Sequence, residues 1–379
     1  MRPHWTLEPG ALFLNHGSFG ATPRVVLDAQ TAWRDRMERQ PVRFFVSELP
    51  GLLNEASAAV AEFLGSPAKD LVFVENATSG ANAVLRSLRF QPGDAILYLS
   101  HGYNAVVRTL EHVAGASGAS LRELYLPCPV RDTAQILHKL SESLNKTVKL
   151  AVLDHVTSFS GLVLPLQEMV AMCRARGVPV LVDGAHAPGM LPLDLPAIGA
   201  DWYVGNLHKW LCAAKGTAVL YASERGQEHL HPTVISHGYG QGFHAEFDFV
   251  GTRDCSGWLA STAALDFHRA LGPEALRAYN RGLALWGRSL LMEGLGAVPA
   301  GPEDMIGSLA AVRLPESFGP GTLEVARQLH DALWTRHSIE VPVSAWGGGL
   351  WLRVSGQAYN ERWEYEELLA ALREIQGQS

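Results

Sequence analysis

In the segment VPVLVDGAHAPG an apolar run ends at Asp183, with His186 three residues later, while DWYVGN ends at Asn206 and leads into Leu207, His208 and Lys209. Ligands of open α/β sheets gather at the carboxyl ends of the strands, and apolar runs of this kind place Asp183 and Lys209 there. Each residue alone has an ordinary reading. The aspartate would cap a turn and the lysine would be a solvated surface group. Together they are a chemical pair: a lysine amine can hold an aldehyde cofactor covalently, and a carboxylate against a pyridine nitrogen keeps that ring protonated as an electron sink. A pyridoxal cofactor needs both.

A third segment, FVENATSGANAVL, reads as a strand ending in a small polar turn, followed by a helix that begins near Gly80. Backbone N–H groups and hydroxyls at such a helix start form an anion site, with Thr78 and Ser79 placed to bind a phosphate. The same residues would also serve as a plain helix cap. His229 and His231 form an H-x-H pair with no third ligand at sensible spacing, so no metal site is expected.

The elements that must position these residues follow from periodicity. Strands are expected at Leu71 to Val74, Ala95 to Leu99, Leu121 to Leu126, Leu150 to Leu153, Val178 to Val182, Trp202 to Val204 and Ala218 to Tyr221. Between them Ala81 to Leu88, Ala105 to Val113, Ala134 to Leu144 and Leu166 to Ala175 carry apolar residues at helical spacing. This alternation is the pattern of parallel strands joined by crossover helices. After about residue 260 longer helices dominate, with strands near Leu309 to Leu314, Ile339 to Val343 and Leu350 to Val354 and a final helix from Glu361. The reading is an α/β protein with a second, smaller α+β domain.

A chain of 379 residues favours two domains, and 47% hydrophobic with 18% charged residues is the composition of a folded globular protein. The net charge of −7 and the scattered Lys and Arg speak against a nucleic-acid partner. No run approaches the ~18 apolar residues of a membrane helix. The apolar stretch near the N-terminus is interrupted by Glu8, Pro9 and Gly10, unlike a signal peptide. Cys128, Cys173, Cys212 and Cys255 lack C-x-x-C pairing, which argues against a disulfide framework or zinc. A cytoplasmic protein is expected.

The three segments, in this order, resemble the class V aminotransferase family, pyridoxal 5'-phosphate enzymes of the type I fold. Over nearly the whole chain LFLNHGSFGATP, ENATSGAN, DGAHAPG, GNLHKWL, FVGTRD, IEVPV and LWLRVSGQAYN are most similar to the isopenicillin N epimerase-like branch, which also includes hercynylcysteine sulfoxide lyases. The resemblance implies a large cofactor-binding domain over 15–260, with a mostly parallel seven-stranded sheet between helices. A small domain would comprise 1–14 and 261–379.

The resemblance also implies roles. Lys209 matches the lysine that bonds the cofactor, Asp183 the partner of the ring nitrogen, and His186 a residue hydrogen-bonded near the ring hydroxyl. Thr78, Ser79, Asn206 and His208 match phosphate contacts. Thr252 of GTRD matches a threonine given to the neighbouring subunit's phosphate site, which implies a homodimer with shared active sites. Arg353 matches the arginine that clamps the carboxylate of a small-molecule amino-acid substrate, a task suited to its two-donor fork. Asn15, His16 and Arg43 correspond to segments lining the substrate side. Tyr103 matches a residue that covers the ring or handles a proton, and Ser158 one that approaches the ring hydroxyl. Phe159 and Ser160 stand where the family more often has a proline-threonine pair.

In such an enzyme the lysine moves a proton at Cα, and surrounding groups select epimerisation, elimination or transamination. Tyr103 or His16 could serve as the second proton carrier of an epimerase. A persulfide-forming desulfurase needs a cysteine shortly before the carboxylate-binding arginine, and none follows Cys255. A binding protein that had merely kept the fold would be expected to lose Lys209 or Asp183.

Overall fold

The computed structural model describes residues 1–378. Seven strands, β1 (Leu71–Val74), β2 (Ala95–Leu99), β3 (Ser120–Leu124), β4 (Val148–Asp154), β5 (Val180–Asp183), β6 (Trp202–Asn206) and β7 (Ala218–Ala222), form one sheet. Their order across it is β1-β7-β6-β5-β4-β2-β3. Pairing is parallel from β6 to β3, while β7 runs antiparallel to both of its neighbours.

Both faces of the sheet are covered. Along β2, Ala95, Leu97 and Leu99 enter one apolar layer and Ile96 the other; along β5, Val180 and Val182 enter the first and Leu181 the second. This period of two, apolar on both sides, is why these strands read as continuous hydrophobic runs. Each fully buried Val or Leu contributes about 1.5–3 kcal/mol, so the ends of the central strands rest on a stiff platform.

A smaller antiparallel sheet follows in the chain, built from β8 (Val298–Pro299), β9 (Leu309–Arg313), β10 (Val343–Trp346) and β11 (Gly349–Ser355), in the order β10-β11-β9-β8. The long helix Pro273–Leu295 packs on β9 and β11 and against the final helix Arg362–Gln378. Here the structure departs from the expected single strand over Ile339 to Val343. Pro342 cannot donate to a ladder, and the run splits: Ile339–Glu340 pairs in parallel with Leu12–Phe13, while Val343 begins β10. Among the described residues no helix is long and apolar enough to cross a membrane.

Candidate active site

Three strand ends converge. Asp154 closes β4, Asp183 closes β5 as its register partner, and Asn206 closes β6. They open on a cavity of about 690 Å³ that is also lined by Thr78, Ser79, Tyr103, Ser158, His186, His208 and Lys209. These are most of the residues expected at the site, drawn from segments far apart in the chain.

The helix facing β6 starts at Ala77, three residues before the expected Gly80, because Asn76 is its cap: the Asn76 side chain accepts the Ser79 N–H at 2.9 Å. Thr78 and Ser79 therefore lie within the first turn, where the helix dipole and their two hydroxyls favour an anion. Asn206 fastens this turn to the sheet, since its Oδ1 accepts the Ala77 N–H at 2.8 Å. His208 spends Nδ1 on the Thr217 carbonyl at 3.2 Å, and burial with the nearby Lys209 charge lowers its pKa to about 4.

Lys209 sits on the turn between β6 and β7, with only 7% of its surface exposed. Burial, reinforced by Arg353 and opposed by Asp183, lowers its pKa to about 7, so much of the amine is unprotonated at neutral pH. Its Nζ lies 3.0 Å from His186 Nε2, and Trp210 Nε1–H donates to His186 Nδ1 at 3.4 Å. With Nδ1 an acceptor, Nε2 carries the proton and donates to the neutral amine. Burial holds the His186 pKa well below its ordinary value, in keeping with that neutral ring. Gly20, at φ +72°, lies so close beneath this turn that a Cβ would come within 2.2 Å of the His208 carbonyl oxygen. The N-terminal segment can pack under the lysine only because residue 20 is glycine.

Asp183 is buried, which raises its pKa, while the Ala185 N–H on Oδ1 at 3.0 Å and the Lys209 charge oppose the rise. Gly184 is forced by the next strand, because a Cβ there would lie 2.2 Å from the Tyr203 hydroxyl. Arg353, in β11, is buried with no carboxylate partner among the described residues. Its Nη1 donates to the Ser158 carbonyl and its Nη2 to Ser18 Oγ at 3.2 Å and Asn15 Oδ1 at 3.4 Å, while Nε has no partner. Burial lowers its pKa to about 10, which leaves the guanidinium charged. Arg353 does not itself line the cavity; Ser18 and Ser158, to which it donates, do. A buried cation without a counter-ion is an arrangement that an anionic ligand completes.

Some expected residues stand elsewhere. His16 does not face the substrate side. It is wholly buried under the lysine turn, with Nε2 2.9 Å from the Lys209 carbonyl and Nδ1 2.8 Å from the Tyr359 hydroxyl. The short helix His16–Phe19 turns the next residues, Ser18 and Phe19, to the cavity instead. Burial first of all lowers the His16 pKa to about 3, so it is no proton carrier at neutral pH. Asn15 also lies off the cavity and steadies Arg353, with its own amide donating to Glu340 at 2.8 Å. Arg43 is exposed and paired with Glu48 at 3.1 Å, away from the cavity. Thr252 does not line this chain's cavity, and its neighbour Arg253 reaches back to Glu75 over the Trp258 ring. His231 pairs with Glu246 at 2.7 Å, and no metal-holding cluster exists among the described residues.

Asp154, Glu75, Ser18, Phe19 and Lys215 line the cavity without having been singled out from the sequence. Asp154 carried a usable signal, since it ends an apolar run, KLAVLD, just as Asp183 does.

A near-neutral buried lysine, a helix start and a strand-end carboxylate thus share one cavity, with a buried arginine behind Ser18 and Ser158. The chain belongs to the aminotransferase class-V family, whose model matches residues 20–304. It is 35% identical to an isopenicillin N epimerase of Streptomyces clavuligerus, over 100% of this chain and 98% of that protein. It is 32% identical to an L-cysteine desulfhydrase of Arabidopsis thaliana, over 97% of this chain and 88% of that protein. In fold it is similar to a cysteine desulfurase from Thermococcus onnurineus NA1, with TM-score 0.82, 20% identity, and coverage of 100% and 98% of the two chains.

Proposed function

We propose that this chain is a pyridoxal 5'-phosphate enzyme acting at the α-carbon of an amino acid or sulfur-containing amino-acid derivative, as an epimerase or a carbon–sulfur lyase. The observation that carries the reading is the buried Lys209 amine, its pKa lowered to about 7, on a cavity that also holds Asp183. Family membership and full-length similarity to an epimerase and a desulfhydrase support it.

The donor set fits the cofactor. The Thr78–Ser79 turn and His208 would take the phosphate, Asp183 the ring nitrogen, and His186 and Ser158 the ring-hydroxyl side. When bound, the group supplies a sink for the electrons left at Cα. Arg353 receives the substrate carboxylate. Lys209 would take the Cα proton, and His186, 3.0 Å from its Nζ, would orient it. Tyr103, at the start of the helix Asn104–Ser117 and 46% exposed, brings a hydroxyl to the cavity as the second proton carrier. A persulfide relay is set aside: none of the four cysteines lines the cavity, and burial raises each thiol's pKa.

The working form in this reading is a cytoplasmic homodimer in which Thr252 serves the partner's phosphate site. Phe19, Val42 and Val46, each more than 70% exposed, supply apolar surface for it, and the four cysteines are unpaired. The large unit would span 15–260, and the parallel pairing of Leu12–Phe13 with Ile339–Glu340 supports joining 1–14 to the small unit.

The reaction is tested with a panel of L-amino acids and S-substituted cysteines in deuterated water. Deuterium at Cα with loss of chirality is expected of an epimerase, and pyruvate release of a lyase. Turnover that requires a keto acid would overturn both in favour of transamination. The lysine itself predicts a pH dependence. A group whose pKa is lowered to about 7 loses its proton above that value, so capture of pyridoxal phosphate by cofactor-free protein should rise through pH 7 and level off. An accessible lysine would keep accelerating towards pH ~10. Stopped-flow absorbance separates the two curves.

A further inference from the structure

Asp154 and Asp183 are register partners at the ends of adjacent parallel strands, which lie about 4.8 Å apart. Both are 5% exposed and both line the same cavity. Asp154 has no salt bridge among the described residues, and only its own backbone amide favours its charged form. Its Oδ2 turns towards Gly102, 3.8 Å from where a Cβ there would stand. Asp183 holds one donor, the Ala185 N–H.

The groups around the pair supply little charge. Tyr203 lies near Asp183 and the His155 backbone N–H donates to the Asp183 carbonyl, but the His155 ring nitrogen and the Tyr203 hydroxyl are joined to each other at 2.9 Å, and burial keeps His155 neutral with a pKa of about 4. Tyr203 keeps its proton, since burial and the Asp183 charge both raise its pKa well above the ordinary value. Across the cavity stand His186, neutral, and Lys209, the one cation whose charge acts on Asp183. Tyr103 follows Gly102 in the chain. Two buried carboxylates at this spacing cannot both stay ionised on one partial countercharge.

We propose that Asp154 is a positioning residue: a neutral carboxylic acid that donates its O–H to Asp183 and so keeps Asp183 the single anion facing the cofactor's ring nitrogen. The proton stays on Asp154, so the pair carries one negative charge, matched by one protonated ring nitrogen. Without that donor, burial would favour protonation of Asp183, which could then no longer accept from the ring. Burial and the Asp183 charge raise the Asp154 pKa well above the carboxylate range, as the geometry requires. A carboxylic acid held neutral at pH 7 in order to donate is an established device of enzyme sites. The inference rests on the pyridoxal phosphate reading for its purpose, but not for its chemistry.

The test uses the full chain, with and without pyridoxal phosphate. Infrared spectra of the cofactor-free protein at pH 7 should show a protonated-carboxyl stretch that disappears in Asp154→Asn. Affinity for pyridoxal phosphate, measured by fluorescence, should change less than about threefold in Asp154→Asn, which keeps an N–H donor. It should fall about tenfold in Asp154→Ala, the effect of one hydrogen bond to a charged group. The absence of the band, its persistence in Asp154→Asn, or equal weakening by both substitutions would overturn the proposal. Should Asp154→Ala fail to fold, the band and the asparagine variant decide. If the band is present but wild-type protein binds no pyridoxal phosphate, the cofactor reading fails and the shared proton stands.

Discussion

Lys209→Ala is expected to bind pyridoxal phosphate without holding it: after borohydride treatment and digestion no cofactor mass should remain on the chain, and turnover should fall by roughly 10³-fold or more. The Lys209 amine, buried and near neutral, is the group placed to both bond the aldehyde and move the Cα proton. The fold should survive, because Nζ makes one side-chain contact, to His186 at 3.0 Å. Burial disfavours the charged amine, so its removal relieves a cost, and the melting temperature should hold or rise. Cofactor mass on Lys215, the other lysine lining the cavity, or turnover near the wild-type rate would sink the assignment.

Arg353→Lys should raise KM roughly 100-fold and change kcat much less. The guanidinium is aimed by Ser158, Ser18 and Asn15, its Nε has no partner, and in this reading a substrate carboxylate reaches it past Ser18 and Ser158. A lysine keeps the charge but loses the planar fork and the three fixing contacts. Two hydrogen bonds to a charged group, each worth about 1.5–3 kcal/mol, set the scale of the loss. An amine substrate without a carboxylate is the control: wild type and variant should handle it alike. If Arg353→Lys leaves KM unchanged for amino acids, Arg353 does not bind the carboxylate.

Much of the site was legible because strand ends are. Lys209, Asp183 and Asn206 each follow an apolar run, and the runs form strands within a few residues of the expected bounds. Thr78 and Ser79 were recognisable as a helix start, although the start moved to Ala77 because a side chain, Asn76, supplied the cap. His16 was misread because the motif LNHG gives its neighbourhood but not its direction. A four-residue helix decides that the imidazole points under the lysine turn and that Ser18 and Phe19 face the cavity.

From the sequence alone came the layered α/β architecture, through local periodicity, and the pairing of Lys209 with Asp183 at strand ends and the lack of a late thiol, through residue type. The roles of these residues came through the resemblance of their motifs to the family. Tertiary structure decided the rest. The pKa of Lys209, the unpaired charge of Arg353 and the pairing of Asp154 with Asp183 depend on which groups share a dry space. That is a matter of sheet register and packing between segments distant in the chain, and no local pattern encodes it.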